Sequence, residues 1–235
     1  MNAWFEKLHE TFIESGLFYL IPEGFRNTII ITLGALCIGV FIGTLIAVVK
    51  YFWDDVPAMK PIVKLCDLYV TVIRGIPMVV LLLIFYYIIL VRLDGVEVGI
   101  IAFGINSGAY MAELIRSGIN AVDRGQMEAG RSLGMSKLQC TRLIIFPQAV
   151  RYILPAIGNE MIALLKETSV AGYVAVVDLT RGINLIRNNT HDNYNTLFAL
   201  ALVYLVLVVI LTQIIRLIER RLGNRDKGRK PAKKL

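Results

Sequence analysis

GQMEAGRSLGMSKLQCTRLIIFPQAV, residues 125–150, is a polar, glycine-punctuated stretch carrying Glu128, Arg131, Lys137 and Arg142 halfway along a chain that is 56% hydrophobic. Its local chemistry spells two short helices. Asp123 can cap the first, Gly134 breaks it, and Ser136 with Gln139 has the capping-box spacing that opens the second. Pro147 and Pro155 then limit where the following helices begin. Ala129, Gly130 and Gly134 are small enough to let the two helices approach closely. Such a pair forms a docking knob, and a knob implies a groove on another protein.

What surrounds the knob is membrane-like. Of 235 residues only 18% are charged, and the mean hydropathy is +0.64, too few polar groups to cover a water-soluble globule. A span needs about 20 mostly apolar residues. Residues 27–49, 98–122 and 195–218 meet that test directly. Residues 60–91 are long enough but interrupted by Arg74-Gly75-Ile76-Pro77, and residues 152–177 are apolar but hold Asn159, Glu160, Lys166 and Glu167. The expected fold is therefore all-α and polytopic, with about five transmembrane helices.

The Lys and Arg distribution orients them. With the N-terminus outside, 18 of the 25 cations fall on the inner side, nine of them from Arg216 onward, so the positive-inside rule makes 125–150 and the C-terminus cytoplasmic. Residues 173–195 become the longest outer excursion, read as a polar loop or a landing place for a binding protein. Residues 1–24 form an outer-face arm in which Trp4, Phe5, Leu8 and Phe12 recur at helical spacing, suiting a helix lying on the lipid surface. Residues 25–222 then make up the transmembrane domain, and residues 223–235 a basic, disordered tail near anionic lipid. The N-terminus has no small-residue cleavage site and does not read as a signal peptide. The net charge of +7 is spread over short loops and the tail, so nucleic acid is not an expected partner. Cys37, Cys66 and Cys140 are scattered, and His9 and His191 lie far apart, so neither a disulfide framework nor a metal site is expected.

The knob carries a resemblance. Glu128-Ala129-Gly130, Gly134, Ile144 and Phe146-Pro147 stand in the register of the EAA loop of permease subunits of ATP-binding cassette importers, with Gly130 and Phe146 departing from the usual alanine and leucine. The similarity extends along nearly the whole chain to the polar amino acid uptake branch: Arg74 to Pro77, Asn106 to Glu113, Gly125-Gln126, Ser132 to Met135, Pro147 to Ala149 and Leu165 to Ser169 all look like that branch. Glu167 stands where an aspartate is more usual. The resemblance implies the type I importer permease fold in a bacterial inner membrane. It also implies an ATPase subunit, a second permease copy or a related permease, and an extracytoplasmic amino-acid-binding protein. No G-x-x-x-x-G-K-[ST] occurs, so the chain is not expected to be an enzyme or to bind a cofactor; ATP and Mg belong to the partner ATPase.

Two groups of site residues follow. Gln126, Glu128, Ala129, Gly130, Ser132, Leu133, Gly134 and Met135 are the candidates for coupling to the ATPase. Arg74, Asn106, Tyr110, Asn159, Glu160, Lys166, Glu167, Thr168 and Ser169 are the candidates for the substrate pathway. Charge at membrane depth is expensive, which favours a functional reading of the last helix. Asn159 and Lys166, like Glu160 and Glu167, are seven apart and form neighbouring stripes of one polar sector. Lys166 and Glu167, being adjacent, do not face each other as an ion pair. Arg74 is open to a pathway role or to tying helices together, and Asn106 and Tyr110 to the cavity or, preferably, to helix packing. Two acids lean toward arginine, lysine or histidine as substrate, with glutamine or glutamate next. The rival readings are an ion-coupled carrier or channel and a membrane anchor.

Overall fold

The computed structural model describes the backbone of residues 2–227 and the side chains of residues 5–221. The Trp4 side chain and residues 228–235 of the expected tail lie outside those limits. Among the described residues the chain is all helical. Helix α1 (Asn2–His9) runs into a π-helical turn, Glu10–Glu14; α2 is Leu20–Trp53, α3 Lys60–Gly75 and α4 Met78–Ile84. Then come α5 (Gly95–Asn120), α6 (Arg124–Ser132), α7 (Lys137–Cys140), α8 (Phe146–Glu167), α9 (Leu179–Thr190) and α10 (Asn193–Lys227).

Three helices, α2, α5 and α10, are long and apolar enough to cross a membrane, and α3 with α4 adds a fourth span if the bent pair counts as one. That pair is folded by 106°, because Ile76 is extended (φ −96°, ψ 129°) ahead of Pro77, as the residue before a proline prefers. Helix α8, at 22 residues, is about 33 Å long, long enough to cross, but it holds Arg151, Glu160, Lys166 and Glu167 and is not among the helices that are also apolar enough.

Helix α5 is the central column, with 67% of its most apolar window buried against 33% for α2 and 0% for α10. It starts from a capping box in which Asp94 Oδ1 accepts from the Glu97 amide at 2.8 Å and Glu97 Oε2 from the Asp94 amide at 3.3 Å. Glycines alternate along its seam with α2. A Cβ added at Gly34, Gly39 or Gly43 would meet Ile100, Ser107 or Met111, and one at Gly99, Gly104 or Gly108 would meet Ile31, Ile38 or Ile42. The residue numbers rise together, so α2 and α5 run parallel. Helix α8 returns antiparallel, with Ile153 against Gly118 and Glu160 against Ser107, and the core closes around Leu82, Ala102, Phe103, Leu164 and Ala171.

The expected second short helix is corrected. From Lys137 the chain continues through α7, a π-helical turn over Thr141–Ile145 and α8 as one helical run to Glu167. Pro147 sits in the first turn after the π turn, where a missing N–H costs least, and Pro155 lies inside α8 rather than before a helix. The outer excursion is corrected too. Its centre is α9, whose Leu179, Ile183 and Ile186 are buried, and Gly182 lies so close to the start of α2 that a Cβ there would stand 2.8 Å from Leu20 O.

The α2–α5 seam has no room for a methyl group: a Cβ at Gly43 would stand 2.4 Å from Met111 Cβ. Gly43→Ala is expected to destabilise the chain by about 1–3 kcal/mol in thermal unfolding in detergent. Gly75→Ala, at a position with nothing within 4 Å, is expected to stay within about 0.5 kcal/mol of the parent.

Candidate functional site

Residues 123–146 build a projection at one end of the bundle, held by local caps and by packing. Asp123 Oδ1 accepts from the Gly125 amide at 2.7 Å to start α6. The helix ends in a Schellman motif: Met135 N–H donates to Gly130 O at 3.1 Å and Gly134 N–H to Arg131 O at 3.0 Å, with Gly134 at φ +82°. Arg131 Nη1 adds a bond to Met135 O at 2.8 Å. Ser136 and Gln139 close a capping box, with Ser136 Oγ accepting at 3.2 Å and Gln139 Oε1 at 2.8 Å. The alanine-to-glycine change at Gly130 has a physical reason: a Cβ there would lie 2.5 Å from the sulfur of buried Cys140.

The projection is not hung on a loose tether. Met127, Ile144 and Ile145 pack with Ala47, Ile115, Val122, Ala149 and Ile153, which joins it to the ends of α2, α5 and α8. Lys137 Nζ donates to Tyr51 O at 3.3 Å and sits 5.5 Å over the Tyr51 ring. Outward it presents Glu128, Ala129, Ser132 and Gln126, all exposed, together with Leu133 at 82% and Leu138 at 64% exposure; Met135 is half-buried.

The nine pathway candidates do not form one cluster. Ser107 Oγ donates to Glu160 Oε1 at 2.9 Å; Ser107 is near the middle of α5, so this carboxyl lies at mid-depth of the bundle. Asn106 is buried on the same helix. Arg74, at the bend before α4, stacks its guanidinium 4.9 Å from the Tyr110 ring centroid, tying α3 to α5. Asn159, Lys166 and Glu167 are exposed, and among the described residues neither Lys166 nor Glu167 makes an ion pair. Thr168 is fully buried and donates to Leu165 O at 2.7 Å. Ser169 lines a separate cavity at the α9 end.

Sequence reasoning missed two charged groups. Lys50 Nζ pairs with Asp67 Oδ1 at 2.7 Å and Glu113 Oε1 at 3.3 Å, and Arg116 Nη2 with Glu113 Oε2 at 2.8 Å, linking α2, α3 and α5 near the projection. At the opposite end Asp178 is fully buried and caps α9 through the amides of Thr180 (2.9 Å) and Arg181 (3.2 Å). Burial pushes its carboxyl up to about 6, against the lowering pull of those amides. Asp192 behaves oppositely. Burial acts to raise it, but bonds from Asn195 and Thr11 outweigh that and hold it below the ordinary carboxylate value. Thr11 Oγ1 donates to Asp192 Oδ2 at 2.8 Å, which pins the N-terminal arm to the α9–α10 turn. Sequence spacing gives no signal for pairs as distant as Thr11–Asp192 or Lys50–Glu113, whereas Asp178 ahead of Thr180 has the spacing of an N-cap and could have been read as one.

The helical arrangement as a whole has counterparts among known proteins. Residues 39–224 fit the model of the binding-protein-dependent transport system inner membrane component. The chain belongs to that family. The permease is 34% identical over 208 residues to the putative glutamine transport system permease GlnP of Rickettsia conorii, covering 87% of this chain and 93% of that one. It is 33% identical over 210 residues to the arginine transport system permease ArtQ of Bacillus subtilis, covering 88% and 94%. Among solved structures it is similar to an amino acid ABC transporter with histidines, at TM-score 0.80 and 38% identity over 87% of this chain and 94% of that one. The MetNI methionine transporter, at TM-score 0.76 and 19% identity over 88% and 98%, shares the fold. The permease therefore has the type I importer permease fold and is a multi-pass membrane protein.

Two tests address this geometry. Gly130→Ala is expected to lower thermal stability by about 1–3 kcal/mol through its clash with Cys140; adding Cys140→Ala, which removes the sulfur, is expected to restore most of the loss in a double-mutant cycle. The second concerns pH. The Asp178 carboxyl is raised from 3.8 to about 6 in the folded chain, so the folded state holds more protons than the unfolded one between those values. Stability is then expected to fall as pH rises from about 4 to 6 and to level off above that. Asp178→Asn should remove this component from melting temperatures measured across the range.

Proposed function

We propose that this permease, with a second copy or a related permease, forms the translocation pathway of an ATP-driven importer for a polar amino acid. Its N-terminus lies outside and the 125–150 projection in the cytoplasm. A partner ATPase carries the nucleotide chemistry, and an extracytoplasmic binding protein delivers the substrate. The permease itself is a transport subunit and not an enzyme.

The observation that carries the reading is the way the projection packs onto the bundle. Exposed Leu133, Leu138 and Glu128 are joined through Met127, Ile144 and Ile145 to three long helices. A push on such a surface moves the bundle ends as a body rather than being lost in a flexible loop. Glu128 offers a charge for a basic or donor group in the ATPase groove. In the pathway, Glu160 at mid-depth is the foremost contact for substrate, with Asn159, Lys166, Glu167, Thr168 and Ser169 along the same chain segment and Arg74, Asn106 and Tyr110 on the facing side. Glutamine and arginine both appear among the relatives' names. The acidic Glu160 and Glu167 favour a cationic amino acid, with glutamine or glutamate next.

The test is ATPase activity of the permease co-purified with its ATPase in proteoliposomes, while amino acids and binding protein are titrated. One class of amino acid is expected to stimulate hydrolysis, and Glu128→Ala to lower that stimulation about tenfold or more, the value of one charge-assisted contact. Hydrolysis indifferent to amino acids and to Glu128 would sink the proposal. Uptake that persists without ATP on an ion gradient would instead favour a carrier.

A further inference from the structure

Helix α3 is held to its neighbours more by polar contacts than by packing. Of its 16 residues only Val63 and Val70 are buried, while Ile62, Leu65, Leu68 and Val72 are exposed. Toward α5, Tyr69 Oη donates to Ile105 O at 2.6 Å and Arg74 stacks on Tyr110. Toward α2 the hold is ionic, with Lys50 Nζ 2.7 Å from Asp67 Oδ1. Neither end of α3 runs on into a long helix. Ahead of it Val56 is extended (φ −96°, ψ 110°), and beyond it the 106° bend at Gly75 to Pro77 interrupts the helical hydrogen bonds, with nothing within 4 Å of a Cβ placed at Gly75. A segment with few buried apolar contacts, set between two such breaks, is the kind of element that moves at least cost in a bundle.

The ion pair is built so that it can open. The Asp67 side chain is 52% exposed and that of Lys50 only 15%, so a departing Asp67 passes into water, whereas a lone Lys50 ammonium would be left poorly hydrated, which is costly. Glu113 prevents that. Its Oε1 lies 3.3 Å from Lys50 Nζ and its Oε2 2.8 Å from Arg116 Nη2, so Lys50 keeps a carboxylate on α5 whether or not α3 is in place. Lys50 also immediately precedes Tyr51, whose carbonyl accepts from Lys137 of the projection, so a displacement of the projection reaches the pair through the adjacent residue. We propose that Lys50–Asp67 is a releasable latch that ties α3 to α2 and opens during the transport cycle, with Glu113 holding the lysine while the latch is open. The latch rests on the importer reading, which supplies the push that opens it. Neutralising the two acids then has opposite consequences. Without the Asp67 charge α3 is freed; without the Glu113 charge Lys50 depends on Asp67 alone and α3 is kept home. A purely structural ion network would be loosened by both.

The test uses the permease–ATPase complex in lipid nanodiscs, carrying Cys37→Ser and Cys66→Ser, with spin labels on Lys64→Cys of α3 and Ser117→Cys of α5, both exposed positions; Cys140 is buried and stays unlabelled. Pulsed electron spin resonance gives the fraction of complexes in which α3 stands away from α5, in the nucleotide-free and ATP-bound states. In whichever state populates both positions, Asp67→Asn is expected to raise that fraction about threefold, the value of one partly exposed ion pair. Glu113→Gln is expected to lower it by about as much, because opening would now strand Lys50. Roughly 1 M potassium chloride, which shortens the screening length to about 3 Å, should open the complex with the latch intact by about twofold or more and leave Asp67→Asn nearly unmoved; this arm needs no substitution in the latch and serves if a variant does not assemble. A single α3 position in both nucleotide states, indifference to salt, no rise with Asp67→Asn, or a Glu113→Gln effect that is absent or upward overturns the latch. ATP-dependent uptake is measured in parallel. No uptake while the latch behaves as expected removes the importer reading alone, and intact uptake with an unmoved fraction removes the latch alone.

Discussion

The parallel contact between α2 and α5 sets the rest of the permease. Parallel neighbours demand an odd connection, because the chain must return before the second helix can start. Here the folded pair α3 and α4 makes that return, and its 106° bend keeps it from occupying a full column of its own. With glycines alternating along the seam, the two backbones come closer than side chains on both sides would allow. Each end of the bundle then rests on this pair: Tyr51 at one end of α2 receives Lys137, while Gly24 at the other end packs against the Asp178 backbone.

Charges are distributed in accord with that frame. The ion pairs among Lys50, Asp67, Glu113 and Arg116 gather on the projection side, where water and lipid head groups lessen the cost of charge. In the middle only Glu160 enters between α5 and α8, and it does so with a hydroxyl partner rather than a cation. At the far end the arm, the α9–α10 turn and the α9 cap are held by hydrogen bonds that hydroxyl and amide donors, rather than cations, make to Asp192 and Asp178. The bundle is thus fixed firmly at both ends and sparsely polar between them.

Much of this was legible in the chain. Three spans, the break at Arg74 to Pro77, the Asp123 cap, the Gly134 stop and the Ser136–Gln139 capping box all follow from short-range rules, and the structure has them. What escaped was whatever depended on contacts across the fold. The pattern of Leu179, Ile183 and Ile186 is a helical stripe, but it lay hidden among Asn, Arg and His, and only the floor provided by Leu20 and Ile21 makes α9 a packed helix. Pro147 looked like a barrier because a proline usually is one; in the first turn after a π turn it is accommodated within the run. The polar sector of α8 was correctly periodic, yet periodicity cannot tell that Glu160 turns to Ser107 while Lys166 stays exposed.

The unbroken run from Lys137 to Glu167 gives the permease a fixed phase relation between its two ends. Each residue along a helix turns the next by about 100°, so the direction in which Glu160 points is set by the count of residues separating it from Ser136. One residue added or removed there would swing the carboxyl away from Ser107 while leaving composition and hydropathy untouched. The π turn at Thr141–Ile145, taking five residues where an α turn takes fewer, already contributes one such step. Length in this segment is therefore as much a part of the site as the identity of its residues, whereas the connections before α3 and α5 carry no phase and set only reach.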